Sequence, residues 1–554
     1  MSSEQPPVLP REYDVAIVGY GPVGVTAANL LGARGLSVLV AERDGSVFDR
    51  ARAIATDEEI LRIWQRIGLA ERLQQDMLWG KAIDFVDVNG RSFLSFAPRT
   101  RGNGYPPQLF LYQPVLEQVL REGVERFANV EVRLRTEVVR QAQDAHGVEL
   151  TLLDLDADAV TRVRAAYVIA ADGGSSPTRG QLGIGFEGRT FEDRWLVIDT
   201  KVLQEWPEVD RLRFHCDPIR SAVDCPTPLG HHRWEFPVLP GDDETALVTD
   251  AAVRRLLTDQ GVDPGKVEIR RAVVYSHHVR FAATWRVGRI FLAGDAAHVM
   301  PPWIGQGMAS GVRDVNNLCW KLAGVVRGEL PESVLSSYAA ERMPHVRSMT
   351  RAAVFFGRVI TERRRAVTAV RDPLFRVAMR APYVGAFLRD GSWFPETRYA
   401  RGLLARSSRR SSRRAGTAVG RMVPQPWVQA ADGTRTRLDD ALGVGWAVLR
   451  APGDRSTPDP AWSWAGVRAL TVLPAGCTPT ADAVVDADDV LVRWMRRHRV
   501  TAIALRPDGI VYAAAAQGGP LAPPPFALGP GESAEVHPDE PTRPSPSSAP
   551  GQRS

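Results

Sequence analysis

The chain has 554 residues, 44% hydrophobic and 24% charged, the composition of a globular protein large enough for two or three domains. No apolar run approaches the length of a bilayer-spanning helix, and the polar start MSSEQPPVLPREY lacks a secretory core, so no membrane role and a cytoplasmic location are expected. The formal charge of +5 is small for this length and does not point to nucleic acid. The four cysteines, Cys216, Cys225, Cys319 and Cys477, form no CxxC, which excludes a disulfide framework or zinc site and suggests a reducing compartment.

In chain order, Tyr13–Val18 reads as a buried parallel strand. Gly19-Tyr20-Gly21-Pro22-Val23-Gly24 follows, then a helix from Val23 to about Arg34 and a strand, Ser37–Ala41, ending at Glu42. In such a β-α-β unit Gly19 permits the tight turn, Gly21 lets the backbone approach a pyrophosphate and Gly24 allows close helix–strand packing. Glu42 is placed to hold ribose hydroxyls. A lone GxGxxG is weak; the strand before it, the helix after it and the acid beyond make this one a dinucleotide-binding unit.

Asp49-Arg50-Ala51-Arg52-Ala53 is a short basic loop, followed by an amphipathic helix over Thr56–Ile67. Ala82–Val88 alternates as a half-buried antiparallel strand does. A helix over Val115–Phe127, a strand over Val130–Leu134 and a hairpin over Gly147–Tyr167 follow. The buried strand Tyr167–Ala171 ends at Asp172-Gly173, with Arg179 opening the next helix. Residues 189–283 read as an antiparallel sheet inserted between Rossmann elements. The strand Arg289–Ala293 breaks at Gly294-Asp295 into a Pro- and Gly-rich loop, and a helix resumes near Ser310 and runs to Arg327. Here Asp295 can accept a hydrogen bond from a sugar hydroxyl, and the helix's first N–H groups can face anionic oxygens.

Ser333–His345 and Arg347–Arg363 read as two further helices. The stretch Arg401–Arg414 carries much of the basic excess without interleaved aromatics, the pattern of an exposed linker. Gly416 to about Val536 is a separate α/β module with strands at Trp446–Leu449, Val467–Val472, Thr501–Leu505 and Ile510–Tyr512. The Pro/Ser-rich tail, 537–554, is expected to be disordered. The domains are then 1–188 and 284–400, a two-part nucleotide-binding domain; 189–283, the inserted sheet; 401–415, the linker; and 416–536, the C-terminal module. His231-His232 and His277-His278 lack the i,i+4 spacing of a helical metal site, so no metal is expected.

GxGxxG, Asp172-Gly173 and Gly294-Asp295, in that order and each at a strand end, resemble the FAD-dependent aromatic hydroxylases, the single-component flavoprotein monooxygenases typified by p-hydroxybenzoate hydroxylase. The resemblance covers about Tyr13 to Arg363. It implies an α/β fold: a Rossmann-like FAD-binding domain with an inserted antiparallel substrate-binding sheet. The C-terminal module resembles the thioredoxin-like domain of the phenol hydroxylase branch; without a CxxC it is assigned a packing or dimer role, which permits a homodimer. Stretches at Arg52, Cys216, Arg233, Val274 and Ala293 (ArgAlaIle, CysAspProIleArg, ArgTrpGluPhe, ValTyrSerHis, AlaGlyAspAlaAlaHisValMetPro) resemble the branch acting on 3-(3-hydroxyphenyl)propionate.

Carried over, the resemblance implies that Gly19, Gly21 and Gly24 lie against the FAD pyrophosphate and that Glu42, with Arg43 beside it, binds the adenosine ribose. Arg52 and Gln113 match flavin-side residues, and Asp172 with Gly173 the second signature, which serves both FAD and NAD(P)H handling. Gly294 and Asp295 hold the ribityl chain. Pro301 and Pro302 lie by the flavin ring and substrate, and Gly305, Gly307, Met308 and Ala309 cover the pyrimidine end. Many relatives have Asn where this chain has Ala309. The implied reaction uses NADH, with NADPH as the alternative, and O2, and ortho-hydroxylates a phenolic acid through a flavin C4a-hydroperoxide. The expected substrate is 3-(3-hydroxyphenyl)propionate or 3-hydroxycinnamate; another phenol, a polyketide or an antibiotic is the alternative. Tyr275 and His277, on one face of the inserted sheet by period-2 alternation, are candidates for phenol activation, against a purely packing role. Arg213, Arg220 and Arg233 are candidate partners for a substrate carboxylate. A halogenase would want a Trp-x-Trp-x-Ile-Pro loop and a lysine after the first helix, and neither is present. A protein that only holds FAD for interaction is disfavoured by the intact signatures.

Overall fold

The computed structural model describes residues 11–47, 52–204, 211–405, 417–458, 460–463 and 466–526. Asp49, Arg50 and Ala51 of the basic loop, most of the Arg401–Arg414 stretch and the 537–554 tail lie outside them.

The first sheet has the parallel strand order 290–292, 159–170, 11–18, 38–41, 130–133. Its strands are apolar at successive positions because both faces are covered. Val15, Ile17, Val38 and Val40 face the helices Pro22–Gly32 and Gly307–Val326. Ala16, Leu39 and Val168 face Val148, Leu150 and Leu152 of a hairpin on the other side. The strand Ala159–Ala170 serves twice, as an arm of that hairpin and as the parallel neighbour of Arg11–Val18. The three signature turns therefore lie side by side at the carboxyl ends of parallel neighbours, the place where open α/β sheets bind ligands.

The second sheet is larger than the insertion alone. Phe186–Val202, His231–Pro237, Ala222–Thr227 and Leu212–His215 follow Val267–Ala282 across it, and Ile83–Val86 and Ser92–Phe96 complete the far edge. Ile83–Val86 pairs antiparallel with Ser92–Phe96, as expected, and parallel with Leu212–His215 on its other side, but it is buried at all four positions instead of half-buried. Asp84, which the alternation assigned to solvent, is covered by its ion pair with Arg211 at 3.0 Å. On the outer face Leu196, Ile198, Trp234 and Phe236 pack under Val253 and Leu257 of the helix Asp250–Asp259. The inner face carries Ile83, Phe85, Leu212, Phe214 and Val223 toward the nucleotide-binding domain.

Ser337–Ile360 is one helix, in place of the two expected, with Pro344 inside it. Proline removes a backbone bond and normally kinks or ends a helix. Here buried ionic contacts hold the residues on either side: Glu341 meets Lys321 and Arg506, Arg342 meets Asp314, and His345 Nδ1 lies 3.0 Å from Arg342 Nη1. The helices Arg365–Arg380 and Pro382–Arg389 were not expected, because frequent arginines obscure their period. Phe375, Met379 and Leu388 pack them against the inner core of the second sheet.

The C-terminal module is a mixed sheet in which Ala447–Arg450, Arg468–Leu473 and Ala483–Asp486 run parallel and Ala502–Leu505 and Val511–Ala515 antiparallel. It packs on the rest of the chain through an apolar cluster, where Trp320, Leu330 and Val334 meet Trp446, Val448 and Trp462, and through buried charged pairs. Asp439 takes a two-pronged pair from Arg62, at 2.8 and 2.6 Å, and a second cation from Arg66 at 3.0 Å. Arg506 donates to both oxygens of Glu341, at 2.8 and 2.9 Å. These pairs make the module a packed part of the molecule. Among the described residues no helix is long and apolar enough to cross a membrane.

Candidate functional site

At the first glycine loop a Cβ on Gly24 would stand 2.0 Å from the Gly19 carbonyl oxygen, so the helix packs there only because no side chain intervenes. A Cβ on Gly21 would meet nothing within 4 Å. Gly21 thus borders an open cradle, room a pyrophosphate requires. Glu42 Oε2 accepts the Tyr20 N–H at 2.6 Å, which sets the carboxylate across the loop. Arg43 beside it is exposed.

Asp295 lies at the neighbouring strand end, its side chain 40% exposed and 3.4 Å from Arg52 Nη1. Its turn is held from below. Asp314, fully buried in the Gly307 helix, accepts the Gly294 N–H at 3.1 Å and meets His298 Nε2 at 2.7 Å and Arg342 Nε at 2.9 Å. Arg52 is held through its backbone: Gln113 Oε1 accepts the N–H groups of Arg52 and Ala53 at 2.8 and 2.7 Å, and Gln113 Nε2 donates to Glu117. Both ends of the Gln113 amide are thereby used to shape the arginine loop. Asp172 Oδ2 caps the next helix through the Thr178 N–H at 3.0 Å, beside Gly173. Arg179 donates to the carbonyls of Ala296 and Gly174, which ties the second signature to the third.

After Pro301 a single 3-10 turn, Pro302–Ile304, ends at Gly305, whose φ of +64° puts it in the left-handed region open to glycine. The helix Gly307–Val326 starts there. Its first N–H groups, at Gly307, Met308 and Ala309, precede any intrahelical partner and are donors for carbonyl oxygens. The Ala309 methyl is buried in the core, so only its backbone can serve a ligand. Arg313, buried on the same helix, bonds Asp57 at 2.6 Å, Glu59 at 2.8 Å and Gln306 at 3.0 Å, and so locks the 302–306 turn to the helix Glu58–Gln65. Burial would raise the Asp57 carboxyl, but the Arg313 charge together with hydrogen bonds from Arg313, Gln306 and the Ile60 N–H outweighs it and holds the group below its ordinary range.

Between the turn and the inner face of the second sheet lies a cavity of about 1370 Å³, counted to its open mouth. Its walls are largely aromatic, with Phe85, Phe96, Phe110, Phe214, Phe356 and Trp393, and charged residues are set among them. Pro302, Trp303 and Gly305 form the side facing the nucleotide-binding domain. Arg99 and Arg101 are among its charged lining residues.

The two candidates for phenol activation do not line this cavity. His277 lies behind the wall, its ring 5.2 Å from Trp303 edge to face and 6.0 Å from Trp195. Burial, helped by His278, lowers it to about 4, so at pH 7 about one molecule in a thousand carries the charge. Tyr275 is on the same face but its hydroxyl is bonded by Arg271 at 3.2 Å. The role assigned to them from strand alternation is therefore withdrawn: the alternation gave the face, and an aromatic layer separates that part of it from the cavity. The three candidate arginines also lie off the cavity. Arg213 is paired with Asp224 at 2.7 Å, on the side of its strand opposite Leu212 and Phe214. Arg220 is paired with Asp242, and Arg233 with Asp199.

What sequence reasoning missed is the support: Asp314, Arg313, Asp57 and Gln306. One signal was present, since Arg313-Asp314 is a charged pair inside a largely buried helix, where an ionised group must be paired. Arg99, Arg101 and Glu235 of the cavity wall carried no such signal, because only the tertiary fold brings them there.

A family profile described as FAD binding domain matches residues 12–353, and one described as HcaD C-terminal domain matches residues 420–521. The 3-(3-hydroxy-phenyl)propionate/3-hydroxycinnamic acid hydroxylase of Burkholderia cenocepacia is 35% identical over 517 residues, which cover 90% of this chain and 93% of that protein. The protein of the same name from Comamonas testosteroni is 35% identical over 557 residues, covering 91% and 94%. In fold the chain is similar to the flavin-dependent monooxygenase PieE, solved with FAD and substrate, at a TM-score of 0.75 and 23% identity over 93% of this chain and 97% of that one.

Proposed function

The chain belongs to the FAD-binding-domain family of aromatic-ring hydroxylases, and from that footing we propose that it hydroxylates 3-(3-hydroxyphenyl)propionate or 3-hydroxycinnamate ortho to the ring hydroxyl, giving the 2,3-dihydroxy acid. It is an FAD-dependent aromatic-ring monooxygenase. The reductant we assign is NADH, with NADPH as the alternative.

The observation that carries this reading is the apolar cavity that opens on the Pro302–Gly305 turn, beside the corner formed by Asp295, Arg52 and the open side of Gly21. FAD fits these groups: Gly21 leaves room for the pyrophosphate, Glu42 and Asp295 offer carboxylates to its sugar and ribityl hydroxyls, and the N–H groups of Gly307–Ala309 would be donors for its ring carbonyls. Bound there, FAD supplies the redox chemistry that activates O2. The chain's own work is placement and exclusion of water. The aromatic walls give an arene a dry seat, and a dry site strengthens every polar contact made within it. Arg99, 78% exposed and 3.3 Å from Asp390, and Arg101 offer a carboxylate its counter-charge. The cavity has an open mouth, so a larger phenol, polyketides among them, is kept as the second reading.

The test is NADH oxidation and oxygen uptake by the yellow holoenzyme. The expected result is stimulation by 3-(3-hydroxyphenyl)propionate above the rate without arene, with the 2,3-dihydroxy acid accumulating. Stimulation only by polycyclic phenols would replace the first substrate by the second, and no stimulation by any hydroxylated arene would sink both.

A further inference from the structure

Five acids line the cavity: Asp57, Glu58, Glu59, Glu235 and Asp390. Four are committed to the protein. Asp57 and Glu59 take the buried Arg313, and Glu58 accepts the N–H groups of Arg101 and Asn103 and the Thr100 hydroxyl. Asp390 accepts the Ser392 hydroxyl and pairs with Arg99. Glu235 differs: among the described residues nothing donates a hydrogen bond to its carboxyl.

Its isolation has a structural cause. Glu235 sits on the inner face of the His231–Pro237 strand, opposite Val197 and Val223 in the register. The two cations near it are Arg233 and Arg271, and both are taken by Asp199. Arg233 grips that carboxylate at 2.6 and 3.1 Å and also donates to the Arg52 carbonyl at 3.0 Å; Arg271 pairs with it from the next strand. The side chain is only 8% exposed. A buried carboxyl without a donor is costly, and such groups persist where a ligand completes them.

We propose that Glu235 is the residue that receives the ring hydroxyl of the substrate and takes its proton as the ring is oxygenated. The proposal rests on the phenol-hydroxylase reading above. In the step the phenol O–H bond breaks and a carboxyl O–H bond forms, leaving a phenolate whose added electron density activates the ortho carbon. Charge favours it. Two arginines and two carboxylates make the cluster neutral while Glu235 is ionised; once Glu235 holds the proton the cluster is cationic and faces the new phenolate. Burial raises the Glu235 carboxyl above its ordinary range, opposed by Arg233, which moves it toward the pH at which a base works well. The other titratable groups facing it on the sheet are Cys225, Asp199 and Arg271, and across the cavity the already paired acids with Arg99, Arg101 and Arg313. The assignment also orients the substrate, hydroxyl toward the sheet and acidic tail toward Arg99 and Arg101.

The experiment compares wild type, Glu235→Gln and Glu235→Asp as holoenzymes, with flavin content and melting temperature as folding checks. Two readouts are taken with 3-(3-hydroxyphenyl)propionate. One is the ultraviolet difference spectrum of the bound phenol, which reports phenol against phenolate; the other is the single-turnover rate of hydroxylation across pH. The expected result is a rate roughly 10²–10⁴-fold lower in Glu235→Gln, the range for loss of a general base. That variant should lose the lower inflection of the pH profile and gain rate only toward the intrinsic phenol ionisation near about 10. Because the Glu235 charge repels a second anion and the two arginines favour one, bound phenolate should be seen at higher pH in wild type than in Glu235→Gln, and Glu235→Asp should restore part of the rate and keep the wild-type order of the spectra. Equal rates, profiles and spectra in wild type and Glu235→Gln would overturn this assignment alone. A wild-type enzyme that hydroxylates no phenol would overturn it together with the functional reading.

Discussion

Gly21→Ala folds like the parent protein and loses most of its affinity for FAD, whereas Gly24→Ala is damaged in both. The two glycines are three residues apart, and the contrast comes from what surrounds them. A methyl group on Gly21 meets nothing within 4 Å, and its φ of −72° suits any residue. Apoprotein stability should therefore be unchanged, and only a ligand lying against the loop would feel the added atom. A methyl group on Gly24 stands 2.0 Å from the Gly19 oxygen, so the helix Pro22–Gly32 must move away from the strand that carries the cofactor loop. Overpacking of this kind costs about 1–3 kcal/mol. The same range at the cradle of Gly21 corresponds to roughly a 5- to 150-fold loss of affinity. Flavin titration and thermal melting of the apoprotein measure the two effects separately. If Gly21→Ala kept full FAD affinity, the cradle would have been misplaced.

Glu341→Ala loosens the junction of the C-terminal module with the rest of the molecule. This one carboxylate collects Lys321 Nζ at 2.9 Å, Asn317 Nδ2 at 2.6 Å, both terminal nitrogens of Arg506 and the Leu403 N–H at 2.8 Å, with no exposure. Removing it leaves two buried cations short of a partner, a loss of about 3–5 kcal/mol for such groups. Lys321 keeps only Asn317 and Ser337, and Arg506 keeps Asp508 and the Leu403 carbonyl. Urea unfolding of the holoenzyme should show an early transition in the variant. Acid reports on the same site. Burial would raise the Glu341 carboxyl, but Arg506 and Lys321 outweigh burial and hold it at about 2. A carboxyl depressed on folding stabilises the fold above its ordinary range, and that contribution is lost as pH falls from 4.5 through about 2. Wild type should therefore lose stability steeply over that window and Glu341→Ala should lose less. Coincident acid curves would show that the junction does not depend on this group.

The elements proposed to bind the cofactor could be read from the chain because their chemistry is local. Gly19, Gly21 and Gly24 act within one turn, Glu42 follows on the next strand, and Asp295 sits where an apolar strand breaks. Elements that depend on distant partners could not. Asp84 alternates like a solvent-facing residue until Arg211 covers it. Ser337–Ile360 reads as two helices, yet it runs on through Pro344, with Asp314, Lys321 and Arg506 holding Arg342 and Glu341 just before the proline. Tyr275 and His277 were placed on the correct face of the second sheet, yet period-2 alternation says nothing of Trp303, which stands between His277 and the cavity. Glu235 was passed over inside ArgTrpGluPhe because its distinction, a carboxyl with neighbours but no donor, exists only once Asp199 has claimed both arginines.

The most direct test of the account is a turnover under heavy-isotope O2, with 3-(3-hydroxyphenyl)propionate, NADH and the FAD-loaded enzyme, followed by mass spectrometry of the product. The account predicts the 2,3-dihydroxy acid carrying one heavy oxygen, placed ortho to the original hydroxyl. A product with oxygen drawn from water, or NADH consumed with the arene returned unchanged, would contradict it.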